Sequence, residues 1–426
     1  MSGVRGSSPA LLRAVRLIGA AGLLIPLAVA GLAGSATASG ASKPPIKLGL
    51  IMSLTGVAAS SYTNGQYGAV ARIDAQNAAG GVDGHKLQLI VKDDASSPSQ
   101  NTTAAQDLVQ NAGVFGVIDF SSFTFAAAPY LHSAGIPVTS WAVDGPEWIE
   151  QPYTNMFDVN PPTLGPINGV YYYYLSGLVK FLKSTGITKL AGLSYGISPS
   201  AQRATNQLLQ AAKKDAGIAT CYNNSSVPFG AVDFTADVLS MKSAGCNGVN
   251  AAFVDSSDIA LSSEVKQAGL HAVQYYETGY DQSVIDNPSA LAAMDGDYVA
   301  IQYNFIRPNA ATAKMLANLV RYDPKFHKGD IPSMGTYGSY LAADLMIKGL
   351  QLAGKNPTRQ KFITNLRKDC NYTAEGVLPS PTSMCHFGTL AMLPKQFCTY
   401  LVQLRGTHFV LANGGKPLCS IRQAQT

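Results

Sequence analysis

One serine of the chain stands in a pentapeptide that some hydrolases use for catalysis. Residues 192–196 read G-L-S-Y-G, which matches the G-x-S-x-G turn that presents a nucleophilic serine between a strand and a helix. In that turn the helix begins at the serine, whereas Ser198 and Pro199 predict a helix start about four residues later. The four histidines that follow Ser194 have no supporting motif. A serine hydrolase at Ser194 is therefore the least favoured interpretation, and we expect no enzyme.

The same sequence has no metal-binding signature. None of the six histidines has the H-E-x-x-H spacing of a metalloprotease, and no pair of cysteines has C-x-x-C spacing. We therefore expect no metal site and no cofactor.

Hydroxyl groups gather at one predicted helix start. Ser121, Ser122 and Thr124 surround Phe123, where a helix is predicted to begin. The first backbone N–H groups of a helix are unpaired and the helix dipole is positive there, so such a start can bind a ligand carboxylate. The alternative is that these hydroxyls only cap the helix.

The elements that would position such groups begin with a βαβ unit. Residues 46–51 form an apolar run typical of a buried strand, 66–79 have apolar residues at helical spacing, and 87–91 form a second apolar strand. Gly80 and Gly81 end the helix, since glycine adopts the left-handed cap conformation easily. A right-handed crossover makes the two strands parallel, with the first turn at the sheet edge where α/β proteins bind ligands.

The alternation of strands and helices continues in two series. The second series begins after Asn160, with a predicted helix over 165–184 that includes four consecutive tyrosines. Residues 397–404 and 407–411 predict a β-hairpin. The predicted fold class is α/β, with two doubly wound lobes that have parallel-sheet cores and a cleft between them.

The first 38 residues predict export. Three arginines precede the apolar residues 17–34, and A-T-A at 36–38 fits a signal-peptide cleavage site. Removal of these arginines lowers the formal net charge from +5 to +2, and no basic cluster follows, so we expect no nucleic-acid partner. If the segment is kept, it is just long enough to anchor the chain in a membrane. Ser35 stands where a lipoprotein signal has cysteine, so no lipid anchor is expected.

Six cysteines remain in the exported part of the chain. An even number in an exported protein predicts disulfides, although six cysteines allow fifteen connectivities. The cysteines are Cys221, Cys246, Cys370, Cys385, Cys398 and Cys419.

Several segments together resemble the branched-chain-amino-acid-type periplasmic binding proteins, the type I solute receptors of ABC importers. The segments are IKLGLIMSLTG, NGQYGA, NAAGGVDGHKLQLIVKDDASSP and FSSFTFAAAPYLHSAGIPVTS, and the resemblance covers nearly the whole chain after Lys43. It implies two lobes joined by three crossings, near 159–162, 300–303 and 387–390. The implied bounds are 44–160 and 303–387 for lobe 1, and 161–302 and 388–426 for lobe 2. Pairing neighbouring cysteines keeps each disulfide within one lobe, so we expect Cys221–Cys246, Cys370–Cys385 and Cys398–Cys419.

The resemblance also implies ligand contacts in lobe 1. Ser121 matches the serine that holds the ligand carboxylate, and Ala142 and Asp144 match a pair in which the family usually has a small residue and a threonine. Asp144 departs from that pattern. It implies either a direct partner for a ligand ammonium or a ligand that is not an ordinary α-amino acid. The aromatic residue that covers the ligand falls on Ser61, and we expect the neighbouring Tyr62 to replace it.

Lobe 2 matches the family less closely. The expected tyrosine falls near Ser198, and Tyr195 precedes it by three residues. The expected carboxylate is Glu277 or Asp281, and Asp255 follows another predicted strand; each of these acids could instead be a solvated loop residue. Tyr303, near a crossing, is a further candidate, for the cleft wall or for the hinge core.

These observations predict an exported solute-binding protein that closes two lobes on a small molecule and delivers it to ABC permease subunits. The implied ligand is an amino acid or a related amide, and a monomer is expected. The alternatives are a ligand-sensing receptor domain and a receptor for aromatic or other carboxylates.

Overall fold

The computed structural model describes residues 43–141, 145–160, 164–301, 309–385 and 394–425. The predicted export signal, Ala142, Asp144 and Tyr303 lie outside these ranges, as do parts of the three predicted crossings. No helix within the described ranges is long and apolar enough to span a membrane.

Strands and helices alternate through most of the described chain. The strands are β1 (Lys43–Met52), β2 (His85–Asp93), β3 (Gly116–Phe120), β4 (Val138–Ser140), β5 (Met156–Asp158), β6 (Leu164–Ile167), β7 (Val170–Tyr173), β8 (Lys189–Tyr195), β9 (Ala219–Val227), β10 (Gly248–Ala252), β11 (Val273–Tyr276), β12 (Tyr298–Ile301), β13 (Gln396–Arg405), β14 (His408–Leu411), β15 (Leu418–Ile421) and β16 (Gln423–Ala424). The helices are α1 (Gln66–Ala78), α2 (Pro98–Gln106), α3 (Thr124–Ser133), α4 (Ser176–Ser184), α5 (Pro199–Ala216), α6 (Thr235–Ser243), α7 (Asp255–Gln267), α8 (Gln282–Ile285), α9 (Pro288–Met294), α10 (Ala310–Tyr322), α11 (Met334–Ala353) and α12 (Arg359–Leu366).

The first sheet is parallel throughout and confirms the predicted βαβ unit. Its strand order is β2-β1-β3-β4-β5, and β1 pairs with β2 and β3 in parallel. Residues of β1 such as Leu48 and Leu50 are fully buried, because helices cover both faces of a parallel sheet.

Helices from the C-terminal half of the chain pack against this first sheet. In α11, the Ala342 carbonyl accepts a hydrogen bond from Thr139 Oγ1 of β4 at 2.8 Å. Asp344 of the same helix forms an ion pair with Arg72 of α1 at 2.7 Å. Residues 334–353 therefore pack with the first sheet, although they are far from its strands in the sequence.

The second sheet combines parallel and antiparallel strands. Its order is β14-β13-β12-β11-β10-β8-β9, with β15 paired to β13. Strands β8 to β12 pair in parallel, and β13 runs antiparallel to β12 and forms the predicted hairpin with β14. Parallel-sheet cores in an α/β fold, as predicted, are therefore present.

The helix predicted over 165–184 is wrong in its first half. The strands β6 and β7 form an antiparallel hairpin there, and β16 pairs with β7, so only α4 is helical. Asn168 and Gly169 both have positive φ, 52° and 79°, as the tight turn of a hairpin requires. The tyrosine run favours a strand, since aromatic residues pack well on a pleated sheet.

The three predicted disulfides are present. They join Cys221 to Cys246, Cys370 to Cys385, and Cys398 to Cys419, across 25, 15 and 21 residues of sequence. Each bond is local in the chain.

Candidate functional site

A cavity of about 270 Å³ lies at the carboxyl ends of strands from both sheets. Tyr62 and Trp141 line it from the first sheet, where they follow β1 and β4. Phe253 and Glu277 line it from the second sheet, directly after β10 and β11. Open α/β sheets bind ligands at this edge, because the loops after the strands converge there.

Aromatic side chains form much of the cavity wall. The ring of Tyr195 packs against Phe229 and Phe253, with centroids 4.7 and 4.5 Å apart. On the opposite side, Trp141 meets Tyr337 edge to face at 5.2 Å. A wall of this kind suits a ligand with an apolar or aromatic body.

The two sheets are in direct contact beside the cavity. Ser61 Oγ, after β1, donates to Asp255 Oδ1 of α7 at 2.8 Å and accepts from the Asp255 N–H at 2.9 Å. Ser60 and Ser256 are linked in the same way, at 3.3 Å for both contacts. These hydrogen bonds hold the rim of the first sheet against the N-terminus of α7.

Tyr62 and Ser122 both line the cavity, as the sequence predicts for ligand contacts. Their hydroxyl oxygens are 3.1 Å apart, and either group can be the donor. The ring of Tyr62 packs edge to face on Phe120 of β3 at 5.1 Å, which fixes its direction.

Ser121 and Thr124 face away from the cavity, into buried carboxylates. Ser121 Oγ donates to the Asp94 carboxylate and accepts from the Phe123 N–H at 3.0 Å. Thr124 Oγ1 donates to Asp119 Oδ1 at 2.9 Å. Both side chains are at most 1% exposed and neither lines the cavity. Within the described chain no side-chain hydrogen bond caps α3, so these contacts are not those of the helix-capping alternative either.

Asn101 joins the two acids behind α3. Its Nδ2 lies 3.2 Å from Asp94 Oδ2 and 3.2 Å from Asp119 Oδ1. Asp94 also accepts from the Ser96 N–H at 3.0 Å, so it receives three hydrogen bonds with Ser121 included.

Tyr195 and Ser198 line the cavity from the second sheet, and both have structural partners. The Tyr195 hydroxyl donates to Ser257 Oγ at 2.7 Å and accepts from the Val254 N–H at 3.2 Å. Burial raises the pKa of Tyr195 well above its usual value. Ser198 is the N-cap of α5 and accepts from the Ala201 N–H at 3.2 Å, as predicted.

Glu277 is the predicted acid that reaches the cavity. Within the described residues its carboxylate has no hydrogen-bond donor and no counter-ion, and burial raises its pKa to about 7. Arg203 is the one basic side chain among the described lining residues. It is paired with Glu150 at 3.3 Å and lies over the Tyr171 ring at 4.3 Å. The described wall therefore favours a positively charged group beside Glu277.

Asp255 and Asp281 are not among the described residues that line the cavity. Asp255 bonds to Ser61, and Asp281 caps α8 by accepting from the Ser283 N–H at 2.7 Å. Burial raises the pKa of Asp255, and burial together with the Asp255 charge raises the pKa of Asp281 to about 7. Neither acid is a solvated loop residue, since each is 4% exposed.

Ser194 has none of the surroundings of a nucleophile. Its side chain is fully buried, and its Oγ has no hydrogen-bond partner within the described ranges. A catalytic serine would need a base within hydrogen-bond reach.

Most of the aromatic wall consists of residues that are not among those predicted from the sequence. Trp141, Trp148, Phe229, Phe253 and Tyr337 all line the cavity. Their positions after strands could have identified three of them, since Trp141 and Phe253 directly follow β4 and β10, and Phe229 follows β9 by two residues.

Comparison with known proteins gives consistent matches. The family model described as periplasmic binding protein matches residues 45–406. A curated relative, Leu/Ile/Val-binding protein homolog 1 of Brucella abortus (strain 2308), is 26% identical over 324 residues, which cover 75% of this chain and 82% of the relative.

Two solved structures have the same fold. One is an ABC-transporter solute-binding protein from R. palustris in complex with benzoate, with 17% identity, a TM-score of 0.67, and coverage of 88% of this chain and 97% of that one. The other is LivJ of Streptococcus pneumoniae in complex with isoleucine, with 16% identity, a TM-score of 0.66, and coverage of 86% and 100%.

Proposed function

Because the chain belongs to the periplasmic binding protein family, whose members bind solutes for transporters and are not enzymes, we propose that it is the extracytoplasmic receptor of an ABC importer. The observation that carries this proposal is the aromatic cavity between the carboxyl edges of two sheets, with the Glu277 carboxylate unpaired in its wall. The protein is exported, works as a monomer and passes its ligand to permease subunits in the membrane.

The proposed mechanism is closure of two lobes on the ligand. Lobe 1 comprises residues 44–160 and 303–387, and lobe 2 comprises 161–302 and 388–426. Support comes from the packing of α11 on the first sheet and from the direct bonds between Ser61 and Asp255. Ligand contacts with both lobes favour the closed form, since a ligand shifts an equilibrium only by binding one state more tightly. No covalent bond is made or broken.

The proposed ligand is an amino acid or a related amide. Glu277 is the partner for its ammonium group, Ser122 and Tyr62 supply hydroxyls, and Tyr195 and Trp141 enclose its side chain. The names of the curated relative and of LivJ, which refer to branched-chain amino acids, agree with this class.

An aromatic carboxylate is the second candidate, because the wall is rich in aromatic rings and one solved neighbour holds benzoate. Such a ligand would place a negative charge in a wall that already contains the carboxyl groups of Asp158 and Glu277. The dissociation constants of amino acids and of aromatic carboxylates decide between the two candidates.

The test is a ligand screen that reads the two tryptophans of the chain, Trp141 and Trp148, both of which line the cavity. Purified mature protein is titrated with amino acids, amino-acid amides and aromatic acids, and fluorescence and melting temperature are recorded. A ligand at 100 times its dissociation constant adds about 2.7 kcal/mol of stability. If no compound changes either signal, the proposed ligand class is wrong.

Transport is distinguished from sensing in cells. Deletion of the gene should abolish uptake of the radiolabelled ligand, and complementation should restore it. Normal uptake with loss of a transcriptional or motility response would support a sensing receptor instead.

A further inference from the structure

We propose that the ligand is a cationic amine without a free carboxylate, such as an amino-acid amide or an alkyl or arylalkyl amine. This inference rests on the proposed function and narrows its ligand class. It depends on how the donors near α3 are used and on where negative charge lies around the cavity.

Two of the three hydroxyls expected to hold a carboxylate, those of Ser121 and Thr124, already donate to other groups. A serine or threonine hydroxyl has one hydrogen to donate. Ser121 gives that hydrogen to Asp94, and Thr124 gives its hydrogen to Asp119 at 2.9 Å. The Phe123 N–H, a third donor at the start of α3, is used by Ser121 Oγ at 3.0 Å. A ligand carboxylate would have to break these bonds to gain equivalent ones.

The acceptors of those bonds also oppose a second negative charge. Asp94 and Asp119 are fully buried, and Asn101 bridges them with contacts of 3.2 Å to each. Ser122, which lines the cavity, is the neighbour of Ser121 in the chain. Ser121 contacts the Asp94 carboxylate directly, so a ligand carboxylate held by Ser122 would bind one residue away from a buried acid, and the low dielectric of the interior strengthens repulsion.

The opposite wall favours a cation. Glu277 faces the cavity without a counter-ion among the described residues, and Arg203 is held by Glu150 at the side. Aromatic rings such as those of Tyr195 and Trp141 line the same cavity, and aromatic rings attract an ammonium group that approaches their faces. Charge on both walls thus selects for a positive group and against a carboxylate.

The test uses three compounds that share a side chain and differ in charge. Leucinamide, leucine and 4-methylpentanoate form one triplet; phenylalaninamide, phenylalanine and 3-phenylpropanoate form another. Dissociation constants are measured by calorimetry on the full mature protein. We expect the amide to bind at least tenfold more tightly than the amino acid in one triplet or both, with no binding of the acid.

Two variants probe the two walls. Glu277→Gln should weaken binding of the amide at least tenfold, whereas Asp286→Asn, the same loss of charge at an exposed residue outside the cavity lining, should leave it unchanged. Asp94→Asn should reduce the preference for the amide over the amino acid. If Asp94→Asn does not fold, the ratio of the dissociation constants of amino acid and amide in the unaltered protein still tests the inference.

The outcomes separate this inference from the proposed function. An amino acid that binds as tightly as its amide, or more tightly, overturns the inference and leaves the proposed function standing. Binding of the acid alone overturns the inference and favours the aromatic-carboxylate candidate. If no member of either triplet and no compound of the wider screen binds, both proposals are overturned.

Discussion

Ser61→Ala should weaken ligand binding through lobe closure, because the Ser61 hydroxyl, although it lines the cavity, is bonded to Asp255. Its hydroxyl bonds twice to Asp255, as a donor to the carboxylate at 2.8 Å and as an acceptor from the backbone N–H at 2.9 Å. Both residues are buried, at 0% and 4% exposure. In the proposed mechanism these bonds exist only when the lobes are closed.

The size of the effect follows from those two bonds. A hydrogen bond to a charged group contributes about 1.5–3 kcal/mol, and a neutral one about 1 kcal/mol. The alanine variant leaves the Asp255 carboxylate and N–H buried without these partners when closed, whereas water satisfies both when open. We therefore expect the closed form to lose about 3 kcal/mol, and the dissociation constant to rise about a hundredfold.

Ser60→Ala is the matched control. Ser60 is the preceding residue and also bonds to α7, but its contacts with Ser256 are 3.3 Å long, involve no charge, and are only partly buried. Its loss should raise the dissociation constant less than tenfold. Tryptophan fluorescence titrations give both constants, and small-angle X-ray scattering of the free proteins should give a larger radius of gyration for Ser61→Ala than for Ser60→Ala.

Equal dissociation constants for the two variants would refute this reasoning. Unchanged scattering of Ser61→Ala, together with weakened binding, would point instead to a direct role of the Ser61 hydroxyl at the ligand.

Three further predictions test the charge and packing around the site. Burial raises the pKa of Glu277 to about 7, so its carboxylate becomes protonated as pH falls through that value. The dissociation constant of an alkylamine, whose ammonium group stays charged over this range, should rise about tenfold from about pH 8 to about pH 6 in calorimetry, and should stay flat in Glu277→Gln. Gly68→Ala should lower the free energy of unfolding, measured in urea, by about 3 kcal/mol, because the added Cβ would lie 1.9 Å from the Thr336 carbonyl oxygen. The control is Asp74→Ala at an exposed position of the same helix, which should change the free energy of unfolding by less than about 0.5 kcal/mol. Equal effects of the two variants would contradict the packing argument. Burial raises the pKa of Asp297 from 3.8 to about 7, so the folded protein binds the carboxyl proton more tightly than the unfolded chain does. The stability that this gives is full below about pH 4 and is lost as pH rises through about 7. In urea melts Asp297→Asn should flatten this decline of the unfolding free energy with pH, and an unchanged slope would contradict the prediction.

The fold was predictable where neighbouring residues determine structure. The first βαβ unit follows from apolar periodicity and from glycines that end α1, and β1 and β2 pair in parallel as expected. The disulfide pairing was predictable from the lobe bounds that the resemblance implies, because pairing neighbouring cysteines keeps each bond within one lobe. The hairpin of β6 and β7 was missed, although Asn168 and Gly169 carry a strong turn signal, because the following tyrosines were assigned to helix α4.

The site was predictable only in part, because its chemistry depends on contacts between distant residues. Tyr62, Tyr195 and Glu277, expected from the resemblance, and Ser122, expected from the predicted helix start, line the cavity, and their contacts with a ligand stay predictions. The hydrogen bond from Ser121 to Asp94 spans 27 residues, and no local pattern reports which way a serine hydroxyl points. The role of Ser121 in ligand binding stays a prediction.

The acids of the second sheet link ligand charge to closure. Burial raises the pKa of Asp258 well above its usual value, and the charges of Asp255 and Glu277 raise it further. These carboxyl groups all belong to lobe 2, and closing lobe 1 over them removes water from a group of acids whose ionised forms burial already disfavours. A cation bound beside Glu277 offsets that cost in the closed form, whereas in the open form water already does so. The same positive charge that gives the ligand its affinity would thus also drive closure, and a neutral analogue of equal shape should bind the open form without closing it.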